Sequence, residues 1–260
     1  MVAVAVVGLL VFFVVPLAAL LQRAPWGSLW STLTDPDVRS ALRLSLECSL
    51  AATALSMLFG LPIAWLLART EFRGKAIVRA LAILPLVLPP VVGGVALLYA
   101  FGRHGLVGQY LSRWFGYTLP FSTTAVVIAE TFVAMPFLII TVEAALRSLD
   151  TRYEDAAATL GASRWTVLRR VTLPSIGPSL AAGAALTWAR ALGEFGATIT
   201  FAGNFKGVTQ TMPLAVYEAF LVEPGAAIVL SLVLLTVSIT VLALVGRRVY
   251  GARPVGAAAA

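Results

Sequence analysis

Six long and predominantly apolar runs, each of at least 20 residues, constrain the fold of this chain more than any other feature. A helix of about 20 residues, rising about 1.5 Å per residue, crosses the roughly 30 Å hydrocarbon core of a bilayer. The runs are continuous rather than alternating in polarity, which favours helices over membrane strands. With 60% hydrophobic and 12% charged residues, the composition excludes a water-soluble domain. We therefore predict an all-α integral membrane fold, a single domain over residues 1–260, with six transmembrane helices at about 2–21, 44–68, 80–101, 123–146, 179–201 and 226–246.

The basic residues predict the orientation of these spans. If both termini are cytoplasmic, twelve of the 19 Lys and Arg residues lie inside, six lie outside, and Arg190 lies within a span. This bias follows the positive-inside rule, so the net charge of +7 reports topology and not nucleic-acid binding. The first run fits less well, because no basic residue precedes it and Arg23 follows it. A removable signal peptide is the alternative there, although the run is longer than such peptides require and lacks a basic leader.

The longest polar segment between spans, residues 147–178, lies on the cytoplasmic side in this topology and predicts a pair of short helices. Thr151 and Glu154 have the spacing of a capping box that would begin the first helix. Gly161 would end that helix in the left-handed conformation, and Ser163 would cap the second. We expect the second helix to stop before Pro174.

This segment resembles the cytoplasmic signature of ABC-importer permeases. The matching residues keep the family spacing, with Asp and Val replacing its usual Glu and Ile: Asp155, Ala156, Ala157, Gly161, Val171, Leu173 and Pro174. The resemblance implies a type I importer transmembrane domain whose first loop helix docks into a groove on an ATPase subunit. The implied assembly holds a second copy of the permease, two ABC ATPase subunits and an external binding protein, in the lipid of a bacterial or archaeal plasma membrane. The residues expected to couple to the ATPase are Glu154, Asp155, Ala156, Ala157, Leu160, Gly161 and Arg164.

Three further stretches, Leu84–Gly94, Arg190–Asn204 and Thr209–Tyr217, resemble the molybdate/tungstate branch of these permeases. Sulfate/thiosulfate permeases share the GlyGluPheGlyAla region in looser form. The resemblance implies inward transport of an oxyanion, molybdate or tungstate, with sulfate or thiosulfate as the alternative.

The same stretches contain the candidate pathway or gate residues. The prolines near Leu84, Pro89 and Pro90 among them, should kink or unwind the third span, either for packing or beside a translocation path. Arg190 and Glu194 stand four residues apart on one helix face, as do Glu143 and Arg147, so each acid can be neutralised by its neighbour. Arg190 and Glu194 then form a structural pair in or near the gate, or Arg190 contacts the anion, or Arg190 makes a snorkelling or interhelical contact. Four neutral side chains either offer weak donors to the oxyanion or satisfy backbone groups: Thr198, Thr200, Asn204 and Thr209.

The chain has no catalytic constellation of its own. It lacks a GxxxxGK[ST] phosphate loop, so we expect no bound cofactor, with ATP and Mg²⁺ held by the partner ATPase. The single His104 and the single Cys48 cannot form a metal cluster. Two rival functions remain: a secondary transporter coupled through an intramembrane carboxylate such as Glu47 or Glu130, and a membrane anchor without transport.

Overall fold

Helices account for most of the chain in the structure, a computed structural model that describes residues 2–250, with side chains for 6–241 and 243. No β-strand occurs among residues 2–250. The helices are α1 (Val2–Gln22), α2 (Leu29–Thr34), α3 (Pro36–Arg69), α4 (Lys75–Val87), α5 (Pro90–Phe101), α6 (Gly108–Phe115), α7 (Thr123–Ser148), α8 (Arg152–Thr159), α9 (Arg164–Val167), α10 (Leu173–Ser175), α11 (Gly177–Leu192), α12 (Gly196–Phe201), α13 (Met212–Val222) and α14 (Pro224–Tyr250). A 3₁₀ turn (Trp26–Ser28) precedes α2, and a π-helical turn (Leu168–Thr172) joins α9 to α10.

Three helices are long and apolar enough to cross a bilayer alone: α3, α7 and the 224–241 part of α14. Two bent pairs raise the number to five, since Val6–Gln22 with Trp26–Thr34 bends by 63° and α4 with α5 bends by 118°. The fifth predicted run is divided into α11 and α12, which are separated by a break at residues 193–195. The predicted all-helical fold is confirmed, whereas the length and polarity of the described helices do not confirm a count of six spans.

The prolines differ in their effect on these helices. α3 continues through Pro62 and α7 through Pro136 without ending, so neither residue unwinds its helix. At Leu88 and Pro89 the backbone becomes extended, and α5 begins afresh at Pro90. Proline favours a helix start because its fixed φ suits the first turn, where no backbone donor is needed. The predicted disruption of the third run is therefore confirmed at this point.

α7 is the centre of the bundle, packing against α3 on one side and α11 on the other. One apolar cluster joins α3, α5, α7 and α12 around Phe201 and Val126. A second joins the far halves of α3 and α7 to the start of α11, around Leu67 and Leu138. Cys48 is buried in the first cluster, as expected for a packing residue. The core holds α3, α7 and α11 together, and α8 and α9 project from one end of it.

Candidate functional site

α8 and α9 form a helix pair whose turn is built at Gly161. The Gly161 N–H donates to Ala158 O at 3.0 Å and the Ala162 N–H donates to Ala157 O at 3.1 Å, which is the Schellman pattern of helix termination. Gly161 has a φ of +84°, a conformation that side chains with a Cβ adopt at a cost. Ser163 then caps α9, accepting from the Thr166 N–H at 3.2 Å. The predicted turn and second cap are confirmed.

Two details of this segment were predicted wrongly. Thr151 makes no side-chain cap at the start of α8, because its backbone is already helical, and Asp150 Oδ1 accepts from the Arg152 N–H at 3.0 Å instead. The Glu154 carboxylate that would complete the box is bonded to Arg69. The second helix does not stop before Pro174, since helical backbone continues through the π-helical turn to Ser175. Pro174 lies in the first turn of α10, a position where the proline ring does not clash with a preceding α-helical turn.

Most of the seven expected coupling residues face away from the bundle. Asp155, Ala156, Gly161 and Arg164 are exposed, and Leu160 is 89% exposed. Ala157 is half-buried. The aromatic rings of Tyr153 and Trp165 are also exposed. Apolar side chains grouped on an exposed helix pair are typical of an interaction surface. The small Ala residues among them would let a partner approach the backbone closely.

Glu154 is the exception, because its carboxylate points into the bundle. Its Oε1 accepts from Arg69 Nη2 at 3.1 Å and from Thr172 Oγ1 at 2.7 Å. From the sequence, Arg69 was only one of the basic residues that predict the orientation of the spans. Thr172 occupies the position between Val171 and Leu173 that the family signature leaves open. No local pattern joins residues 85 positions apart, so this contact could not be predicted.

A second polar group fastens the same end of the bundle. Glu143 on α7 accepts from Arg147 Nε at 3.0 Å, as predicted from their spacing, and also pairs with Arg79 on α4. Arg147 Nη2 donates to Leu67 O, near the end of α3, at 3.3 Å. In the adjoining loop, a hydrogen bond from Lys75 and its charge lower the pKa of Glu71. These contacts tie α3, α4 and α7 together beside α8.

The broken helices bring several of the predicted pathway residues together. α5 packs on α12 so closely that a Cβ on Gly94 would lie 1.7 Å from Thr200 Oγ1 and 2.7 Å from Ala197 O. A Cβ on Gly196 would lie 2.8 Å from the Cβ of Pro90. Only glycine allows this approach of two helix backbones. The proline-induced start of α5 and the start of α12 are therefore neighbours.

Arg190 and Glu194 form an ion pair at the break between α11 and α12. Arg190 Nη2 lies 2.6 Å from Glu194 Oε2, and the Glu194 carboxylate is 1% exposed. Glu194 Oε1 accepts from the Ala197 N–H at 2.9 Å, so the same side chain caps α12. The spacing predicted the pair but not the cap, because the break that creates a new helix start was not recognised.

The four neutral candidates are differently placed. Thr200 Oγ1 donates to Gly196 O at 2.9 Å, and Thr209 Oγ1 accepts from the Phe205 N–H at 2.9 Å, so both satisfy backbone groups. Asn204 Nδ2 donates to Glu218 Oε2 at 2.8 Å. Thr198 and Thr209 are fully buried. None of the four lines the cavity beside Gln210 and Glu218, the cavity beside α8 and α9, or the cavity between α13 and α14. Nearby, the bond from Lys206 to Asp37 raises the pKa of the Lys206 ammonium.

The carboxylates assigned to the rival secondary transporter are unlike each other. Glu47 is exposed and lies 2.6 Å from Arg43 Nε. Glu130 on α7 is 1% exposed, and its Oε2 has no hydrogen-bond partner in the described part of the chain. Neither belongs to an acidic metal-binding group, and no such group occurs among the described residues.

Comparison with known proteins gives these features a family. The sequence profile of the "binding-protein-dependent transport system inner membrane component" family matches residues 60–251. The molybdenum transport system permease protein ModB of Mycobacterium bovis is 49% identical, over 92% of this chain and 90% of that protein. The sulfate transport system permease protein CysT of Escherichia coli is 36% identical, over 91% of this chain and 89% of that protein.

The fold comparison agrees. A chain of a bacterial ABC transporter involved in the import of the acidic polysaccharide alginate superposes with a TM-score of 0.74 at 20% identity, covering 97% of this chain and 94% of that one. That likeness supports the type I importer fold alone, while the profile and the sequence identities settle the ancestry. The chain therefore belongs to the binding-protein-dependent transport system inner membrane components, the permeases of ABC importers.

Proposed function

We propose that this chain is the permease through which an ATP-driven importer moves molybdate or tungstate into the cell. The observation that supports this choice of substrate is the 49% identity to a protein named for molybdenum transport, compared with 36% identity to one named for sulfate transport. Sulfate or thiosulfate is the second candidate, since all of these ions are tetrahedral and doubly charged. Neutral donors and a single paired Arg190 suit an anion that must be released as well as admitted.

The exposed surface of α8 and α9 is the proposed docking site for an ATPase subunit. Its members are Asp155, Ala156, Ala157, Leu160, Gly161 and Arg164, with Glu154 on the inner side. The ATPase would supply bound ATP and Mg²⁺, so this chain would have neither nucleotide site nor cofactor. The exposed apolar side chains and the fixed Gly161 turn support a surface that is completed by a partner.

The proposed assembly contains two copies of the chain, two ATPase subunits and an external binding protein. Each copy would contribute six spans with both termini in the cytoplasm, in a bacterial or archaeal plasma membrane. α11 with α12 would act as the fifth span in spite of its break, and α1 as the first. The excess of basic residues in the loop regions assigned to the cytoplasm supports this orientation.

The proposed pathway runs beside the broken helices. Pro89 and Pro90 set the start of α5, while Arg190 and Glu194 fix the start of α12. Thr198, Thr200, Asn204 and Thr209 lie on or after α12 and would become available to an anion only when the packing against α5 changes. Rigid-body movement of helices, driven from the docking site, is the kind of transition that would change it.

Transport by the purified protein tests the proposal. The chain would be reconstituted in liposomes with its ATPase subunit and binding protein, and uptake of radiolabelled molybdate measured with and without ATP. We expect uptake that requires ATP and the ATPase subunit, is blocked by vanadate, and is reduced by unlabelled tungstate more than by sulfate. Preferential competition by sulfate would instead support the second candidate. Uptake driven by an ion gradient without ATP would contradict the proposal and favour a secondary transporter.

Orientation has its own test. With Cys48 replaced by Ser, a single cysteine introduced at Leu160 should react with a membrane-impermeant maleimide only after the cytoplasmic face is opened. Labelling of intact cells at that position would place the helix pair on the wrong side for an ATPase.

A further inference from the structure

One contact of the α8–α9 pair differs in kind from the rest of its surface. Glu154 lies on α8 between exposed neighbours, yet its side chain is only 21% exposed and reaches back to the bundle. The single oxygen Oε1 accepts from both Arg69 Nη2 and Thr172 Oγ1. Hydrogen bonds to a charged acceptor are roughly twice as strong as neutral ones, so this oxygen is a firm point of attachment.

The two donors belong to different parts of the bundle. Arg69 is the last residue of α3, and its side chain is only 14% exposed. Two residues earlier, Leu67 O accepts from Arg147 of α7, so the end of α3 is held from both sides. Thr172 is 2% exposed and ends the π-helical turn that leads through α10 into α11. Glu154 thus connects α8 to α3 directly and to α11 through a short helical segment.

The remainder of the helix pair stands away from α3. A cavity of about 730 Å³ lies between them, lined by Leu61, Pro62 and Trp65 of α3, by Ala158 and Trp165 of the pair, and by Leu168 of the π-helical turn. Apolar packing across this gap is therefore incomplete, and it cannot by itself transmit a displacement rigidly. The Glu154 contacts lie at one edge of the cavity. They form the polar attachment between α8 and α3, the longest helix described.

We infer that Glu154 is a positioning residue that transmits movement of the α8–α9 pair to α3 and α11, and that it does so from the inner side rather than by touching the ATPase. This inference rests on the proposed function. A push on the exposed face of α8 reaches the spans through the Glu154 carboxylate, because the cavity beside it leaves the pair free to tilt. Loss of the attachment would let the pair move without carrying α3 along.

The inference is tested by the ratio of anion transported to ATP hydrolysed. The variants are Glu154→Ala, Thr172→Val, Arg69→Glu and the exchanged pair Arg69→Glu/Glu154→Arg. Each is reconstituted in liposomes with the ATPase subunit and the binding protein, and uptake is measured with radiolabelled molybdate. We expect Glu154→Ala to bind the ATPase subunit as the wild type does and to hydrolyse ATP, with uptake per ATP reduced about tenfold. Thr172→Val should reduce it less, because Arg69 remains. The exchanged pair should recover part of the ratio that Arg69→Glu loses.

The matched control is Glu71→Ala, which removes a carboxylate that is 90% exposed in the neighbouring loop, together with its ion pair to Lys75 at the start of α4, and leaves α8 untouched. Its ratio should equal that of the wild type. An unchanged ratio in Glu154→Ala overturns the inference, and so does loss of ATPase binding in that variant, which would mean that Glu154 touches the ATPase. A wild type without any ATP-driven uptake overturns the proposed function instead, and the inference falls with it. The thermal midpoint of each variant separates unfolding from uncoupling. If Glu154→Ala does not fold, the ratio of uptake to ATP hydrolysed in Thr172→Val tests the inference in its place.

Discussion

Glu194 uses its two carboxylate oxygens for two different purposes, pairing through Oε2 with Arg190 at 2.6 Å and accepting the Ala197 N–H through Oε1 at 2.9 Å. The pair therefore joins the end of α11 to the start of α12 across their break. A carboxylate that is 1% exposed at this depth needs both partners, because an uncompensated buried charge is strongly destabilising.

The first prediction separates a structural role of Arg190 from contact with the anion. Arg190→Met should lower the free energy of unfolding by about 3 kcal/mol, since it leaves the Glu194 charge buried and unpaired. Arg190→Met/Glu194→Gln should be closer to wild type, because Gln still accepts from the Ala197 N–H. Both are measured by denaturant unfolding in detergent, beside Lys206→Gln, whose exposed pair should matter little. If the double variant is stable but takes up no anion, while Glu194→Gln alone still does, Arg190 contacts the substrate.

The second prediction concerns the Gly161 turn. Gly161→Val should weaken binding of the ATPase subunit about tenfold, because a φ of +84° costs a residue with a Cβ about 1 to 2 kcal/mol. A Cβ there meets no atom within 4 Å, so any loss comes from the backbone and not from a clash. Titration of the purified permease with ATPase subunit measures it. Gly177→Ala, which is also free of contacts, is the control. Equal affinity in Gly161→Val would show that the turn does not set the docking surface.

The third prediction addresses the contact between α5 and α12. Gly94→Ala should lower the thermal midpoint in detergent, since forcing a methyl group into packed helices costs about 1 to 3 kcal/mol. The would-be Cβ lies 2.7 Å from a backbone oxygen as well as against Thr200, so Gly94→Ala/Thr200→Ala should recover only part of the loss. Gly8→Ala, where no atom lies within 4 Å, should leave the midpoint unchanged. Full tolerance of Gly94→Ala would contradict the packing described here.

The fourth prediction distinguishes ATP-driven from ion-coupled transport. Glu130→Gln keeps the shape of a fully buried side chain and removes its ability to bind and release a proton. Uptake in the reconstituted system should stay within about twofold of wild type, whereas Glu130→Lys should destabilise the fold because it places a cation at a position that is only 1% exposed. A Glu130→Gln protein that folds but cannot transport would support coupling through an ion.

The sequence predicted those parts of the fold that depend on neighbouring residues. Apolar runs located α3 and α7, the four-residue spacing predicted the Glu143–Arg147 pair, and Gly161 with Ser163 defined the α8–α9 turn. The capping box at Thr151 failed for a physical reason. The backbone of Thr151 is already helical, with φ −63° and ψ −19°, so its hydroxyl does not cap α8, and the Glu154 carboxylate accepts from Arg69 and Thr172 instead.

The contacts and helix breaks that could not be predicted from the sequence depend on residues far apart along the chain. The break before Gly196 contains no proline; it lies between Gly193 and Gly196, and Pro90 of α5 packs against its end. Two glycines weaken a helix without specifying that it breaks. Hydropathy alone therefore read residues 179–201 as one run. The Arg69–Glu154 and Arg147–Leu67 contacts join positions 85 and 80 apart, and only the packed bundle shows that they meet.

The glycine contact between α5 and α12 bears on how the proposed route for the anion would open. Where Gly94 faces Ala197, the two backbones meet with only the short Thr200 side chain beside them, so a change of side-chain rotamer would not part the helices. Separation of α5 from α12 would therefore require a rigid-body movement of one helix relative to the other. If the proposed pathway passes this contact, the closed packing of α5 on α12 would hold back small ions as well as the larger oxyanion.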